Sequence, residues 1–216
     1  MKSIRKIHDL RSNIHEEFLL EKNLPASPLL QFDRWMKKAI ESGNAEPTAM
    51  ALGTTDSKGN PSARIVLLKG YDENGFVFFT NYKSKKANEL KANPSASIVF
   101  YWSEIHKQIR IEGKVKPVSA KESDEYFQSR PRESQIGAVA SSQSKVAANR
   151  KTIEERFEFF KNKFAGKKIT RPEGWGGYRL VPDYFEFWQG RHNRLHDRIV
   201  FKKANKNRWK IFRLYP

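Results

Sequence analysis

From Thr48 onward the chain is cut into short runs of β-type residues separated by turn residues, and this punctuation limits it to an antiparallel architecture. Strands are predicted at residues 48–55, 63–69, 76–80, 95–102, 108–115, 178–180, 184–188, 198–201 and 208–214. The breaks between them carry turn chemistry. Asp56-Ser57-Lys58-Gly59-Asn60-Pro61 separates the first two runs, and Asp72-Glu73-Asn74-Gly75 ends in an Asn-Gly hairpin signal. Ala204-Asn205-Lys206-Asn207 fits a hairpin between the last two runs. Helical periodicity appears at the margins and between strand groups. Residues 28–42 set Leu29, Phe32, Trp35, Met36 and Ile40 on one stripe, with Pro28 at the tolerant first turn. A short helix is predicted over 84–91. Ser119-Ala120-Lys121-Glu122 reads as a capping box, and residues 145–164 as a long charged helix with Ile153, Phe157, Phe160 and Phe164 inward and Gly166 at its end. The fold class this predicts is α+β, one domain over residues 1–216, an antiparallel barrel with helices around it.

Composition narrows the function. Of 216 residues, 38% are hydrophobic and 30% charged, as expected of a globular chain with a real core. There is no cysteine, which removes disulfides, thiolate metal sites and a thiol nucleophile. The first twenty residues are charged throughout and lack the apolar stretch of a signal peptide, and no apolar run approaches the ~20 residues of a membrane helix. A cytoplasmic protein without a membrane partner is expected. The formal charge of +17 calls for anionic ligands, either nucleic acid or small phosphorylated molecules. Acidic residues interleave with the basic ones along the chain, which weakens the nucleic-acid alternative.

The densest chemistry lies in Phe187-Trp188-Gln189-Gly190-Arg191-His192-Asn193-Arg194-Leu195-His196-Asp197-Arg198. Planar cations among large rings suit a flat, anionic, aromatic ligand, because guanidinium groups donate bidentately and also stack. His192 and His196 have the spacing of paired zinc ligands, but the segment is not clearly helical and no metalloprotease glutamate accompanies them, so no metal site is expected. Gly174-Trp175-Gly176-Gly177 matches neither a dinucleotide fingerprint nor a P-loop and reads as a tight turn allowing close backbone approach. No serine sits in a nucleophile elbow.

Phosphate-binding fragments are scattered elsewhere. Arg64 and Lys69 end one apolar strand, five positions apart, so on a regular strand they face opposite sides and could serve two anions. Lys85 and Lys86 open the predicted helix at 84–91, where a bound phosphate would relieve their conflict with the helix dipole. Residues 126–135 concentrate phosphate donors in Tyr126, Arg130, Arg132 and Ser134.

Several of these pieces occur together and in order. They are Pro47-Thr48-Ala49-Met50, the run from Arg64 to Lys69, Ser129-Arg130-Pro131-Arg132-Glu133-Ser134-Gln135-Ile136-Gly137-Ala138, Gln143-Ser144, Trp175-Gly176-Gly177-Tyr178, Phe187-Trp188-Gln189-Gly190, Arg194-Leu195-His196-Asp197-Arg198 and the ending Arg213-Leu214-Tyr215-Pro216. From about Leu24 to the end the chain resembles the pyridoxine (pyridoxamine) 5′-phosphate oxidases, FMN enzymes that make pyridoxal 5′-phosphate in vitamin B6 biosynthesis and salvage. The resemblance implies an FMN-binding split β-barrel homodimer, with FMN held non-covalently in clefts between subunits. It implies that Arg64, Lys85, Lys86, Gln143 and Ser144 hold the FMN phosphate and ribityl chain. The backbone of Arg64, Ile65, Val66, Leu67, Leu68 and Lys69, with Phe79 and Thr80, would run beside the flavin, and Gln108, Trp188 and Arg198 would address its ring. Lys69, Tyr126, Arg130 and Ser134 would clamp the substrate phosphate, with Arg194, Leu195 and His196 over the pyridine ring and Arg11 contributing from the N-terminus. Arg194 and His196 are the catalytic candidates. The implied reaction moves hydride from C4′ of pyridoxamine 5′-phosphate or pyridoxine 5′-phosphate to flavin N5, and O2 is then reduced to H2O2.

The chain departs from the family pattern in places. Lys85 stands where arginine is frequent, which keeps the charge and loses the fork. Phe79 replaces a frequent tyrosine. Residues 1–23 are a candidate mobile segment, and Arg11-Ser12-Asn13-Ile14 matches poorly a region that can fold over substrate in the family. Two other classes remain to be separated: another FMN split-barrel protein such as a flavin reductase, which should lack the Arg130/Ser134 clamp, and a basic nucleic-acid-binding protein, which would not explain Trp188, Arg194 and His196.

Overall fold

The computed structural model describes residues 17–205 and 208–216. Its elements in chain order begin α1 (Pro28–Glu41), β1 (Ala49–Thr55), β2 (Pro61–Leu67), β3 (Gly70–Asp72), β4 (Gly75–Asn81), α2 (Lys85–Ala92) and β5 (Ser95–Trp102). They continue β6 (Lys107–Pro117), α3 (Ala120–Ser129), α4 (Arg132–Ala140), α5 (Arg150–Lys163), β7 (Trp175–Gln189), β8 (Asp197–Asn205) and β9 (Arg208–Arg213). Hydrogen bonds order the strands β2-β1-β5-β6-β7-β4-β3, with β8 on β7 and β9 on β8. The described residues divide into two compact units, one of residues 48–100 and 111–184, the other of residues 17–47, 101–110 and those from 185 onward. β5, β6 and β7 contribute residues to both.

In the first unit, β1 alternates so that Met50, Leu52 and Thr54 point inward. It pairs antiparallel with β2, Leu52 opposite Arg64 and Thr54 opposite Ser62. β2 is the end strand of the order, and its Ile65 is 66% exposed. The Asn-Gly signal closes the β3–β4 hairpin with Asp72 opposite Gly75, whose φ of +130° a side chain rarely adopts. Phe127, Ile136, Ile169 and Trp175 form a core under α3 and α4, onto which Phe157, Phe160 and Phe164 of α5 pack.

The second unit centres on α1. Ser27 caps it, accepting from the Leu29 N–H at 3.2 Å, and Pro28 occupies its first turn. The buried face is Pro28, Gln31, Phe32, Trp35, Met36 and Ala39, and the Trp35 ring meets Phe187 edge-on at 5.3 Å. Ile40, expected on this stripe, is 59% exposed, because it falls about a quarter turn round from the buried centre.

Four expectations are corrected. The predicted strands at 178–180 and 184–188 are one fifteen-residue strand, β7, running through Pro182. Glycines let neighbouring strands approach it closely beside that residue: a Cβ on Gly113 would overlap the Val181 carbonyl, and one on Gly75 would overlap the Leu180 carbonyl. The glycine run at 174–177 gives close approach, as expected, but only Gly174 lies in the turn, closed by the Trp175 N–H donating to Pro172 O at 2.9 Å, while Gly176 under the Tyr82 ring and Gly177 under Phe79 and Val118 already belong to β7. The long helix starts at Arg150, not at residue 145, because Asn149 caps it by accepting from the Thr152 N–H at 2.9 Å; Ile153 is 51% exposed. Finally β2 stops at Leu67, so Lys69 lies beyond it, its N–H donating to Val77 O at 2.8 Å.

The Gly113 contact yields a test. Gly113→Ala should destabilise the fold by about 1–3 kcal/mol, the usual range for overpacking, since the obstacle is backbone and cannot rotate away. Chemical denaturation of both proteins measures it, and an unchanged midpoint would contradict the close approach.

Candidate functional site

Most of the residues picked from the sequence fall into three clusters in the first unit and one in the second. The first is built on Glu89, whose side chain α2 turns inward. Thr54 Oγ1 donates to Glu89 Oε2 at 2.5 Å, Ser62 Oγ to Oε1 at 2.8 Å, and Arg64 Nη2 to Oε2 at 3.1 Å. Burial alone would raise this carboxyl's pKa, but the three donors outweigh it and hold it lowered. Arg64 also donates through Nη1 to Thr54 Oγ1 and to the carbonyls of Leu52 and Ser62. Its guanidinium is thus held in one orientation by the β1–β2 register.

The second cluster joins α2 to the loop after α4. Lys86 Nζ donates to Thr80 Oγ1 at 3.0 Å and to Gln143 Oε1 at 2.8 Å, and Thr80 Oγ1 donates to the same Gln143 oxygen at 2.9 Å. Burial, with repulsion from Arg64 adding to it, lowers the Lys86 pKa. Ser144 follows with a left-handed φ of 68°. A cleft of about 440 Å³ opens here, lined by Lys83, Lys85, Asn88, Glu89, Ser144 and Lys145. At its helix N-terminus, Ser84 Oγ is buried with no hydrogen-bond partner.

A pile of flat groups makes the third cluster. The Tyr126 ring stacks on Phe79 at 3.9 Å, Phe79 stacks on Trp175 at 5.5 Å, and the Arg130 guanidinium lies 4.8 Å from the Trp175 centroid. Arg130 Nη1 is buried without a partner. Burial raises the Tyr126 pKa, so its phenol remains a donor. Gln135 Nε2 braces the turn between α3 and α4 by donating to the carbonyls of Arg130 at 3.0 Å and Gln128 at 3.3 Å. Ser134 sits in the first turn of α4. Beside the pile, a cleft of about 450 Å³ is lined by Lys69, Phe79, Tyr126 and Ser129, and by Arg179, which is already paired with Asp72 and Glu122 of the same wall. Arg64 and Lys69 accordingly border different clusters.

In the second unit, the Trp188 ring lies 4.6 Å from the His196 ring. His196 Nδ1 accepts the Arg191 N–H at 3.0 Å, and burial followed by repulsion from Arg194 lowers its pKa. Arg194 and Leu195 are exposed, and Arg194 has a left-handed φ of 60°. Arg198 Nε donates to Glu186 Oε1 at 2.8 Å, and Gln108 lies half-buried on β6. Arg11 is outside the described residues. Among the described residues, no group of three or more His, Asp or Glu could hold a metal, and no helix is long and apolar enough to cross a membrane.

Sequence reasoning passed over Glu89, Gln135 and Glu186, which hold the arginines in place. Glu89 had one legible signal, its i,i+4 spacing from Lys85. The first two clusters fit the phosphate end of a flavin mononucleotide: cations at a helix N-terminus, an unpaired buried hydroxyl, and one carboxylate already neutralised.

A family model described as pyridoxamine 5′-phosphate oxidase matches residues 36–163. The chain belongs to that oxidase family. A second model, the pyridoxine 5′-phosphate oxidase C-terminal dimerisation region, matches residues 175–216. A pyridoxine/pyridoxamine 5′-phosphate oxidase of Trichormus variabilis is 48% identical over 98% of this chain and 99% of its own length. One from Paraburkholderia phymatum is 52% identical over 96% and 98%. Among solved structures, PhzG from Burkholderia lata in complex with tetrahydrophenazine-1-carboxylic acid superposes with a TM-score of 0.88 at 30% identity, covering 95% of this chain and all of that one. An FMN-binding, pyridoxamine 5′-phosphate oxidase-related protein of Nostoc punctiforme shares the fold with a TM-score of 0.70 at 16% identity. The α+β split-barrel class expected from the sequence is the fold of this oxidase, and the enzyme is an oxidoreductase.

The lowered pKa of His196 predicts an NMR titration midpoint below the ordinary 6.5. Because the folded value is the lower one, this ring's contribution to stability is present above pH 6.5 and is lost as pH falls through the folded midpoint. A midpoint at or above 6.5 would show that the ring is not desolvated beside Arg194.

Proposed function

We propose that this oxidase converts pyridoxamine 5′-phosphate or pyridoxine 5′-phosphate to pyridoxal 5′-phosphate, working as one domain in a homodimer with non-covalent FMN. The relatives of about half-identical sequence, matched over nearly their whole length, support the substrate class. The matched dimerisation region supports the homodimer. FMN, when bound, would supply the redox chemistry, acceptance of hydride from substrate C4′ with O2 as the final electron acceptor and H2O2 as product.

The chain's own residues bind, orient and shield. Arg64, Lys85, Lys86, Gln143 and Ser144 hold the cofactor phosphate and ribityl chain, with Thr80 fixing the Lys86 ammonium. Gln108, Trp188 and Arg198 address the flavin ring. Lys69, Tyr126, Arg130 and Ser134 hold the substrate phosphate. Arg194 and His196 orient the pyridine ring. A hydride route needs no strong protein base, and His196, its Nδ1 already engaged by the Arg191 N–H, presents Nε2–H as a donor.

One observation carries the reading of the substrate end. Arg130 is stacked on Trp175 with a buried nitrogen that has no partner, an arrangement that leaves a preset donor for an anion. The carboxylate ligand of PhzG bears no phosphate, so phosphate dependence separates the two activities.

Purified protein should be yellow, release FMN on denaturation and form peroxide with pyridoxamine 5′-phosphate but poorly with pyridoxamine. Arg130→Ala should raise KM for the phosphorylated substrate about 10- to 100-fold, the equivalent of about 1.5–3 kcal/mol for hydrogen bonds to a charged group, with FMN retained. Equal turnover of both substrates by the parent protein would remove the assignment. Arg194→Ala should lower kcat/KM while the preparation stays yellow; a colourless but folded variant would contradict a substrate-side role for Arg194.

A further inference from the structure

The segment that carries Arg194 and His196 is held in an unfavourable shape. Asn193 and Arg194 are consecutive left-handed residues, with φ of 55° and 60°. Asparagine tolerates this region, whereas arginine has no local side-chain bond that favours it. Within the turn, the Leu195 N–H donates to His192 O at 3.2 Å. Something outside it must hold its ends.

Asp197 is the residue placed to do so. It follows His196 directly and is buried. Its Oδ2 accepts the Leu19 N–H at 3.1 Å and lies 3.8 Å from Arg191 Nε, and its Oδ1 accepts Arg213 Nη1 at 2.6 Å. Arg213 completes the clasp: Nη2 donates to Leu19 O at 2.8 Å and to Glu21 Oε2 at 2.9 Å, while Nε donates to Glu21 Oε1 at 2.8 Å. Two side chains therefore satisfy both backbone groups of Leu19, as a neighbouring strand would. The Arg191 guanidinium, drawn toward Asp197, also lies 3.4 Å from the Phe18 ring centroid. Both ends of the strained turn, Arg191 and Asp197, are thus tied to residues 18–21.

This matters because the Arg191 N–H donates to His196 Nδ1 at 3.0 Å. A neutral imidazole that accepts at Nδ1 carries its proton on Nε2. We infer that Asp197, clamped by Arg213 and Leu19, is a positioning residue that keeps Asn193–Arg194 left-handed and locks His196 in the Nε2–H form. The inference rests on the proposed role of Arg194 and His196. Asp197 touches no reacting atom in it; it acts through the two residues that do.

The test uses the full-length FMN-loaded enzyme and two variants, Asp197→Asn and Arg213→Lys. The first keeps shape and removes charge; the second keeps charge and removes the fork that spans three residues. Tautomer-sensitive ¹⁵N NMR of labelled histidine reads His196, FMN release and thermal melting read the fold, and steady-state kinetics read kcat and KM. In the parent, His196 should show the Nε2–H pattern. In either variant that retains FMN and folds, His196 should average between tautomers, and kcat/KM should fall tenfold or more through loss of orientation. A folded, yellow variant with the parent's His196 pattern and the parent's kcat/KM would overturn the inference, as would a parent His196 protonated at Nδ1. If both variants unfold, Glu21→Gln, which removes only the outer partner of Arg213, must move the His196 pattern in the same direction or the inference fails. Should the parent not oxidise the phosphorylated substrate, the proposed function falls while the tautomer measurement still decides the clasp.

Discussion

Taking a carboxylate out of water is expensive unless its charge is matched and its lone pairs are filled. Glu89 meets both conditions at once, through Thr54, Ser62 and Arg64. Because those three come from two paired strands and Glu89 comes from α2, the carboxylate welds helix to sheet. It also removes the freedom of Arg64, which otherwise would be one more long cation on an edge strand. The same weld fixes the start of α2, and hence Lys85 and Lys86. The proposed anion site thus depends on a negative charge buried first.

The same device appears again in the second unit. Glu186 takes Arg110 at 2.7 Å and Arg198 at 2.8 Å, and Asp197 takes Arg213. In each case a buried acid selects one rotamer of a flexible base. This makes sense of the charge balance. A net +17 is spread over many exposed lysines and arginines, several of them in i,i+4 pairs of little energetic value, such as Arg150 with Glu154. The few acids that are buried have far more influence on geometry than the many basic groups at the surface.

Periodicity and turn chemistry made most elements readable. Residues 95–102 were bounded correctly because a run of β-branched and aromatic residues, Ile98 to Trp102, follows Pro94. The Ser119 cap was readable because its partner, the Glu122 N–H at 3.0 Å, is three residues away. Errors arose where distant residues decide. Pro182 argues locally for a break, yet β7 runs through it, with Gly75 and Gly113 lying close against the backbone of Leu180 and Val181. The start of the long helix was missed for a local reason instead: residues 145–149 carry helical composition, and the Asn149 cap, bonded to the Thr152 N–H three residues on, was passed over. At the candidate site the types of residue were legible, since cations and rings announce themselves. What orients them was not, because Glu89 and Arg64 are 25 positions apart and Asp197 and Leu19 are 178 apart.

The free flank of β2 has a further consequence. Ile65 projects an apolar surface from the last strand in the order, beside backbone groups that pair with no strand on that side among the described residues. A lone protomer fresh from the ribosome would offer that flank to any extended peptide it met. How soon that edge is covered, more than the firmness of the interior, would then govern how much folded protein is recovered.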